Sequence, residues 1–141
     1  MYPHAGGKFI ERVKGELDRS DTKLFTLTVL THYTDADTQR LYGCSLNEAV
    51  RKLAKIGFES GADGLIVPGN QIGDLRLSTK EILSPGIRPS WFEDRKTNDQ
   101  EQTVTPYEAI SNGARYIVVG SPIRKSSSPS EALERIIKEI S

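Results

Sequence analysis

With 141 residues and 36% hydrophobic side chains, the chain can build one modest core and is too short for two ordinary domains. Nineteen Lys and Arg balance nineteen Asp and Glu, so no surplus charge drives sequence-independent binding to nucleic acid or to an acidic membrane. The one cysteine, Cys44, cannot form an internal disulfide, which fits a reducing, cytoplasmic setting. No apolar run approaches the ~20 residues of a membrane span, and Met1-Tyr2-Pro3-His4 lacks the layout of a signal peptide.

Phe9, Ile10, Val13 and Leu17 recur at helical spacing and predict an amphipathic helix over 8–18, after a turn at Gly6-Gly7. Leu24 to Leu30 alternates apolar residues with Thr26 and Thr28 and reads as a strand. A polar loop follows from Thr31 to Gly43. Ser45-Leu46-Asn47-Glu48 has capping-box spacing, and Val50, Leu53 and Ala54 continue a helix that stops near Gly61. Gly64 to Val67 is a buried-type strand, ended by Pro68-Gly69; 70–77 reads as a short helix. Ile82-Leu83 lies in a third strand that stops at Pro85-Gly86. The long polar stretch from Arg88 to Val104 reads as a lid. Thr105-Pro106-Tyr107-Glu108 opens a helix that Gly113 ends, Tyr116 to Val119 is a fourth strand closed by Gly120, and Ser128-Pro129-Ser130-Glu131 starts a last helix. Strands alternating with helices argue for βαβ units around a parallel sheet.

Two strands ending in glycine turns before capped helices are how adjacent βα units offer backbone N–H groups to an anion. Arg88 and Gln100 would add a cation and an amide donor beside the Pro85-Gly86 and Gly120-Ser121 turns. The competing reading of Arg88 is a solvated lid arginine. His4 and His32 are the only histidines, and without a cluster at ligand spacing no metal or other cofactor is expected. Asp35 and Asp37, near His32, resemble an acid/base cluster, yet loop carboxylates more often cap or face solvent. Cys44 has no cationic neighbour in sequence to activate its thiol.

Ser84-Pro85-Gly86-Ile87-Arg88, then Asp99-Gln100 with Val104-Thr105-Pro106, then Val118-Val119-Gly120 with Pro122-Ile123, resemble the consecutive hallmarks of orotidine 5′-phosphate decarboxylases. Thr28-Val29-Leu30-Thr31 and His4-Ala5-Gly6-Gly7 match earlier landmarks of that family. The resemblance covers the chain but implies only the C-terminal half of a TIM-type (β/α)8 barrel, about four βα units forming one half-barrel domain over 1–141. It implies a nucleoside monophosphate ligand, with Gln100 bridging base and phosphate, the Gly120 turn on the phosphate, and Pro85-Gly86 opening a lid. Two positions depart from the family: Ser121 stands where an arginine usually holds the phosphate, and His32 stands where a serine after Thr31 reads the pyrimidine. In the family an Asp-x-Lys-x-x-Asp motif, on a strand end that precedes all the landmarks matched here, stresses the substrate carboxylate and protonates C6; the same spacing occurs in this sequence only at Asp94, Lys96 and Asp99, inside the stretch read as a lid and without a strand end to sit on. The expectations are a half-barrel of the enzyme, inactive alone, or a non-catalytic nucleotide or sugar-phosphate binding module, or a remnant. The uncovered half of such a barrel implies a homodimer or a complementary N-terminal half as partner, with Phe25, Leu27, Val29, Ile66 and Val118 on the open face.

Overall fold

The computed structural model describes residues 1–75, 81–92 and 103–141. Among them, β1 (Phe25–Leu27), β2 (Gly64–Ile66), β3 (Glu81–Ser84) and β4 (Tyr116–Ile117) form a parallel sheet in the order β1-β2-β3-β4. Helix α1 (Gly7–Leu17) precedes β1, and α2 (Asp35–Tyr42) and α3 (Leu46–Glu59) connect β1 to β2. Helix α4 (Pro106–Ser111) lies between β3 and β4, and α5 (Ser121–Arg124) and α6 (Pro129–Ile140) follow β4. Strands in sequential order, all parallel, are the arrangement of half a TIM-type barrel.

Burial along the strands alternates with the period of two that separates the faces of a sheet. Thr26, Thr28, Leu65, Val67, Ile82 and Ser84 are fully covered, while Phe25, Leu27, Ile66, Leu83 and Val118 on the other face stay half-buried or exposed. The covered face packs on the helices: α3 sits against β1 and β2, and α4 against β4. Val29, expected on the open face, instead belongs to the buried core with Val50, Leu53, Leu65, Val67 and Ile72, because β1 ends at Leu27 and the chain turns before it. The sheet is strongly curled. Strands three places apart in a flat sheet are about 14 Å from each other, yet the rings of Phe25 on β1 and Tyr116 on β4 meet edge to face at 6.1 Å across the concave face.

Ion pairs pin the N-terminal end of the sheet. Lys23 Nζ lies 2.7 Å from Glu81 Oε1, and Tyr116 OH donates to Glu81 Oε2 at 3.2 Å, so the lead-in to β1, β3 and β4 meet on one carboxylate. The Lys23 hydrogen bond is the main reason that this carboxyl titrates below its ordinary range. On the other side, Asp63 accepts the Leu24 N–H at 2.7 Å and pairs with Lys14 at 2.9 Å, which ties α1 to the entry of β1. The outer edge of β1 is engaged by one residue: the Met1 amino group donates to Phe25 O at 2.8 Å and Leu27 N–H donates to Met1 O at 2.7 Å.

Several expectations need correction. The loop read over Thr31–Gly43 contains α2, opened by a Thr34–Asp37 capping box and closed by Gly43 in the left-handed conformation. It shows little apolar periodicity because it buries only Thr38. The helix expected from residue 70 is two 3-10 turns, Gly69–Gln71 and Gly73–Leu75, and its remainder to 77 lies outside the described residues. Ser128 does not cap α6 with its side chain; its N–H donates to Ser126 Oγ instead. The capping boxes at Ser45–Glu48 and Thr105–Glu108 form as the spacing predicts.

Candidate phosphate and nucleotide site

Every residue singled out for binding follows a strand, so all of them that are described gather at the C-terminal edge of the sheet. Pro85 and Gly86 follow β3, and Gly86 takes φ 77°, a conformation that glycine adopts at little cost. The chain then runs beside Val104: Ile87 and Val104 form a parallel bridge, and Arg88 N–H donates to Val104 O at 2.9 Å. Gly120 follows β4, and its carbonyl accepts from Ile123 and Arg124 N–H at 3.1 and 3.0 Å, winding 121–124 into α5. Because Val118 N–H donates to Ser84 O at 2.8 Å, the ends of β3 and β4 are neighbours, and the Pro85-Gly86 and Gly120-Ser121 turns lie side by side. Thr31 and His32 sit past the end of β1, two strands from β3, or about 10 Å along the edge. Thr31 is buried; His32 is exposed, with its ring edge-on to Tyr33 at 5.1 Å. Gln100 and Asp99 lie outside the described residues, as does most of the stretch read as a lid.

Arg88 is not the solvated arginine of the competing reading. It is 6% exposed, its Nη1 donates to Ile87 O at 3.1 Å, and its guanidinium lies 6.0 Å from the Phe92 ring. Nε is buried without a hydrogen-bond partner, and no carboxylate among the described residues pairs with the cation. Burial pulls the guanidinium below its ordinary pKa, the direction expected when a charge loses water. Trp91 anchors the same segment to α6, stacking under Arg135 at 4.2 Å. Gln71, missed in the sequence, also ends near this edge, in the turn after β2, with its Oε1 buried and unpartnered. A glutamine in a stretch read as a helix gave nothing to single it out. Gly69 in that turn lies so close to Val104 that a Cβ there would collide with the valine side chain.

The polar loop residues have structural work. Asp37 accepts from the Thr34 N–H and hydroxyl at 2.9 and 2.8 Å, which holds its carboxyl below the usual range. Asp35 accepts the Leu46 N–H at 2.8 Å and so steers the entry to α3. Cys44 is buried in the core. Among the described residues no group of His, Cys, Asp and Glu could hold a metal ion, and no helix is long and apolar enough to cross a membrane.

The profile of the orotidine 5′-phosphate decarboxylase / HUMPS family matches residues 1–136. The chain belongs to that family. It is 36% identical to an orotidine 5′-phosphate decarboxylase of Hahella chejuensis over 146 aligned positions, covering 99% of this chain and 61% of that protein. A second decarboxylase, from Nitrobacter winogradskyi, is 36% identical over 86% of this chain and 51% of its own length. The crystal structure of the decarboxylase from Lactobacillus acidophilus superposes with a TM-score of 0.79 at 30% identity, over 99% of this chain and 61% of that one. The chain thus spans about half to three fifths of the length of these relatives.

Proposed function

We propose that residues 1–141 form one half-barrel domain, the C-terminal half of the family barrel, which holds the phosphate end of a nucleoside monophosphate such as orotidine or uridine 5′-phosphate. The observation that carries this reading is the buried Arg88 guanidinium behind the Pro85-Gly86 turn, without a carboxylate partner among the described residues. An uncompensated buried charge costs several kcal/mol, and a phosphate dianion seated between the β3 and β4 turns would offset that cost. In this assignment Gly120 and Ser121 supply backbone and hydroxyl contacts to the phosphate, Gln100 bridges phosphate and base, and Thr31 and His32 approach the base end.

Decarboxylation needs more than this edge provides. Losing CO2 from C6 of the pyrimidine leaves an electron pair on carbon, and a positioned acid must protonate it within hydrogen-bond reach. Within 1–141 the Asp-x-Lys-x-x-Asp spacing occurs only at Asp94, Lys96 and Asp99, after the Pro85-Gly86 turn and not at the strand end that precedes these landmarks in the family, so the proposed contribution to the family reaction, orotidine 5′-phosphate to uridine 5′-phosphate and CO2 in cytoplasmic pyrimidine synthesis, is binding and orientation. The Lys/Asp network then comes from residues outside this sequence. The lack of that motif at the family's own place favours, as a second reading, a nucleotide-binding module without chemistry of its own. Neither reading calls on a cofactor.

Titration calorimetry of residues 1–141 with uridine 5′-phosphate and with uridine tests the site. The phosphate ester should bind and the nucleoside should give no measurable heat. Equal affinities would remove the phosphate from the assignment.

A further inference from the structure

We infer that Trp91 and Arg135 are positioning residues for the phosphate end of the site: the stack between them clamps the turn over 89–92 against α6 and so holds the Arg88 guanidinium in its buried place. The inference rests on the phosphate reading of Arg88 and adds the residues through which α6 acts on it.

The backbone grips Arg88 from one side. Its N–H donates to Val104 O at 2.9 Å, beside the Ile87–Val104 bridge. The chain then reverses: Phe92 N–H donates to Pro89 O at 3.1 Å, a turn that brings the Phe92 ring back to 6.0 Å from the Arg88 guanidinium. A turn closed by one hydrogen bond has little stability of its own in water. Trp91, inside it, supplies a tie to the rest of the fold. The Arg135 guanidinium lies 4.2 Å from the centre of the Trp91 ring, well inside the ~6 Å over which a cation is drawn to a ring face. The indole Nε1 is buried without a hydrogen-bond partner, so a polar atom has given up water to keep the ring there. Arg135 itself is exposed on α6, whose buried positions are Ala132 and Ile136, and it is not needed to fill the core.

The same helix backs the second turn. Helix α6 packs on α5, which starts at Ser121 directly after Gly120, and on α4, whose cap Thr105 follows Val104. The segments that reach the anion after β3 and β4 therefore rest on one helix, and Trp91 is where the Arg88 segment meets it. With the stack broken, the turn is free to swing off the guanidinium. Water then reaches Arg88, and the cation meets the phosphate from a less fixed position in a higher dielectric.

Calorimetry with uridine 5′-phosphate and the emission of Trp91, the chain's single tryptophan, test this with substitutions at exposed positions of α6. Arg135→Gln should weaken nucleotide binding about two- to fivefold, the scale of an exposed cation–π contact, and move the emission to the red as the indole meets water. Arg135→Lys keeps a cation over the ring and should stay near wild type in both. Lys138→Gln removes the same charge three residues along the helix and should change neither, which separates the stack from long-range attraction. All three should keep the wild-type melting transition. Unchanged emission or unchanged affinity in Arg135→Gln would overturn the positioning role. So would an affinity loss that Lys138→Gln matches, that Arg135→Lys fails to spare, or that tracks a lower melting transition. A wild type that gives no heat with the nucleotide would overturn the phosphate reading itself, and the role with it.

Discussion

Ser121→Arg should tighten uridine 5′-phosphate binding about tenfold, since a hydrogen bond to a charged partner contributes roughly 1.5–3 kcal/mol against about 1 for a neutral one and a bidentate guanidinium adds a fixed geometry. Ser121 opens α5 immediately after the Gly120 turn and is half-buried, so a long side chain has a route to solvent and to the edge shared with Pro85-Gly86. The gain should depend on phosphate alone: uridine binding should not change. Calorimetry with both ligands on both proteins separates the two. An affinity for the nucleotide that stays level or falls would mean that this turn does not face the phosphate.

Gly57→Ala should destabilise the fold by about 1–3 kcal/mol, the range for overpacking a filled core. Gly57 lies on α3 where the helix crosses β1, and a Cβ there would collide with Thr26 Oγ1 and come within 3.1 Å of Leu65 Cδ2. Neither neighbour can step aside, since Thr26 and Leu65 are both fully buried. The hydroxyl is also without a hydrogen-bond partner, so removing it costs little. Thr26→Ala combined with Gly57→Ala should therefore recover part of the loss, a coupling that thermal unfolding of the two single variants and the double would measure. Simple additivity would show that helix and strand do not meet as described.

What the sequence made legible follows from which elements carry their own grammar. The capping boxes at Ser45 and Thr105 and the apolar period of α3 specify those helices locally; β1, β2 and β4 lie inside the apolar runs that announced them, and β3 extends Ile82-Leu83 by Glu81 and Ser84. Helix α2 had no such pattern: its box uses Asp37 in place of a glutamate and its buried position is a threonine. Val29 shows a different limit, because alternation predicts a side chain's face only while the strand lasts, and β1 lasts three residues. At the site, the order of turns along the chain was readable, as was their place after strands. The burial of Arg88 was not, since a Gly-Ile-Arg-Pro run looks the same whether the arginine folds under the loop or leaves it. Gln71 reaches the edge through a turn whose course is set by Gly69 against Val104, a contact between residues far apart in sequence.

The central claim is that these residues carry the binding end of the family's site without its chemistry. The most direct measurement is release of CO2 from orotidine 5′-phosphate by residues 1–141, prepared from a host lacking its own decarboxylase, alone and after addition of a separately produced N-terminal half of a family barrel. The account predicts no release above background from the chain alone, and release once the half bearing the Asp-x-Lys-x-x-Asp motif is added. Turnover by the chain alone would contradict it, because a proton donor and charge network would then have to lie within 1–141.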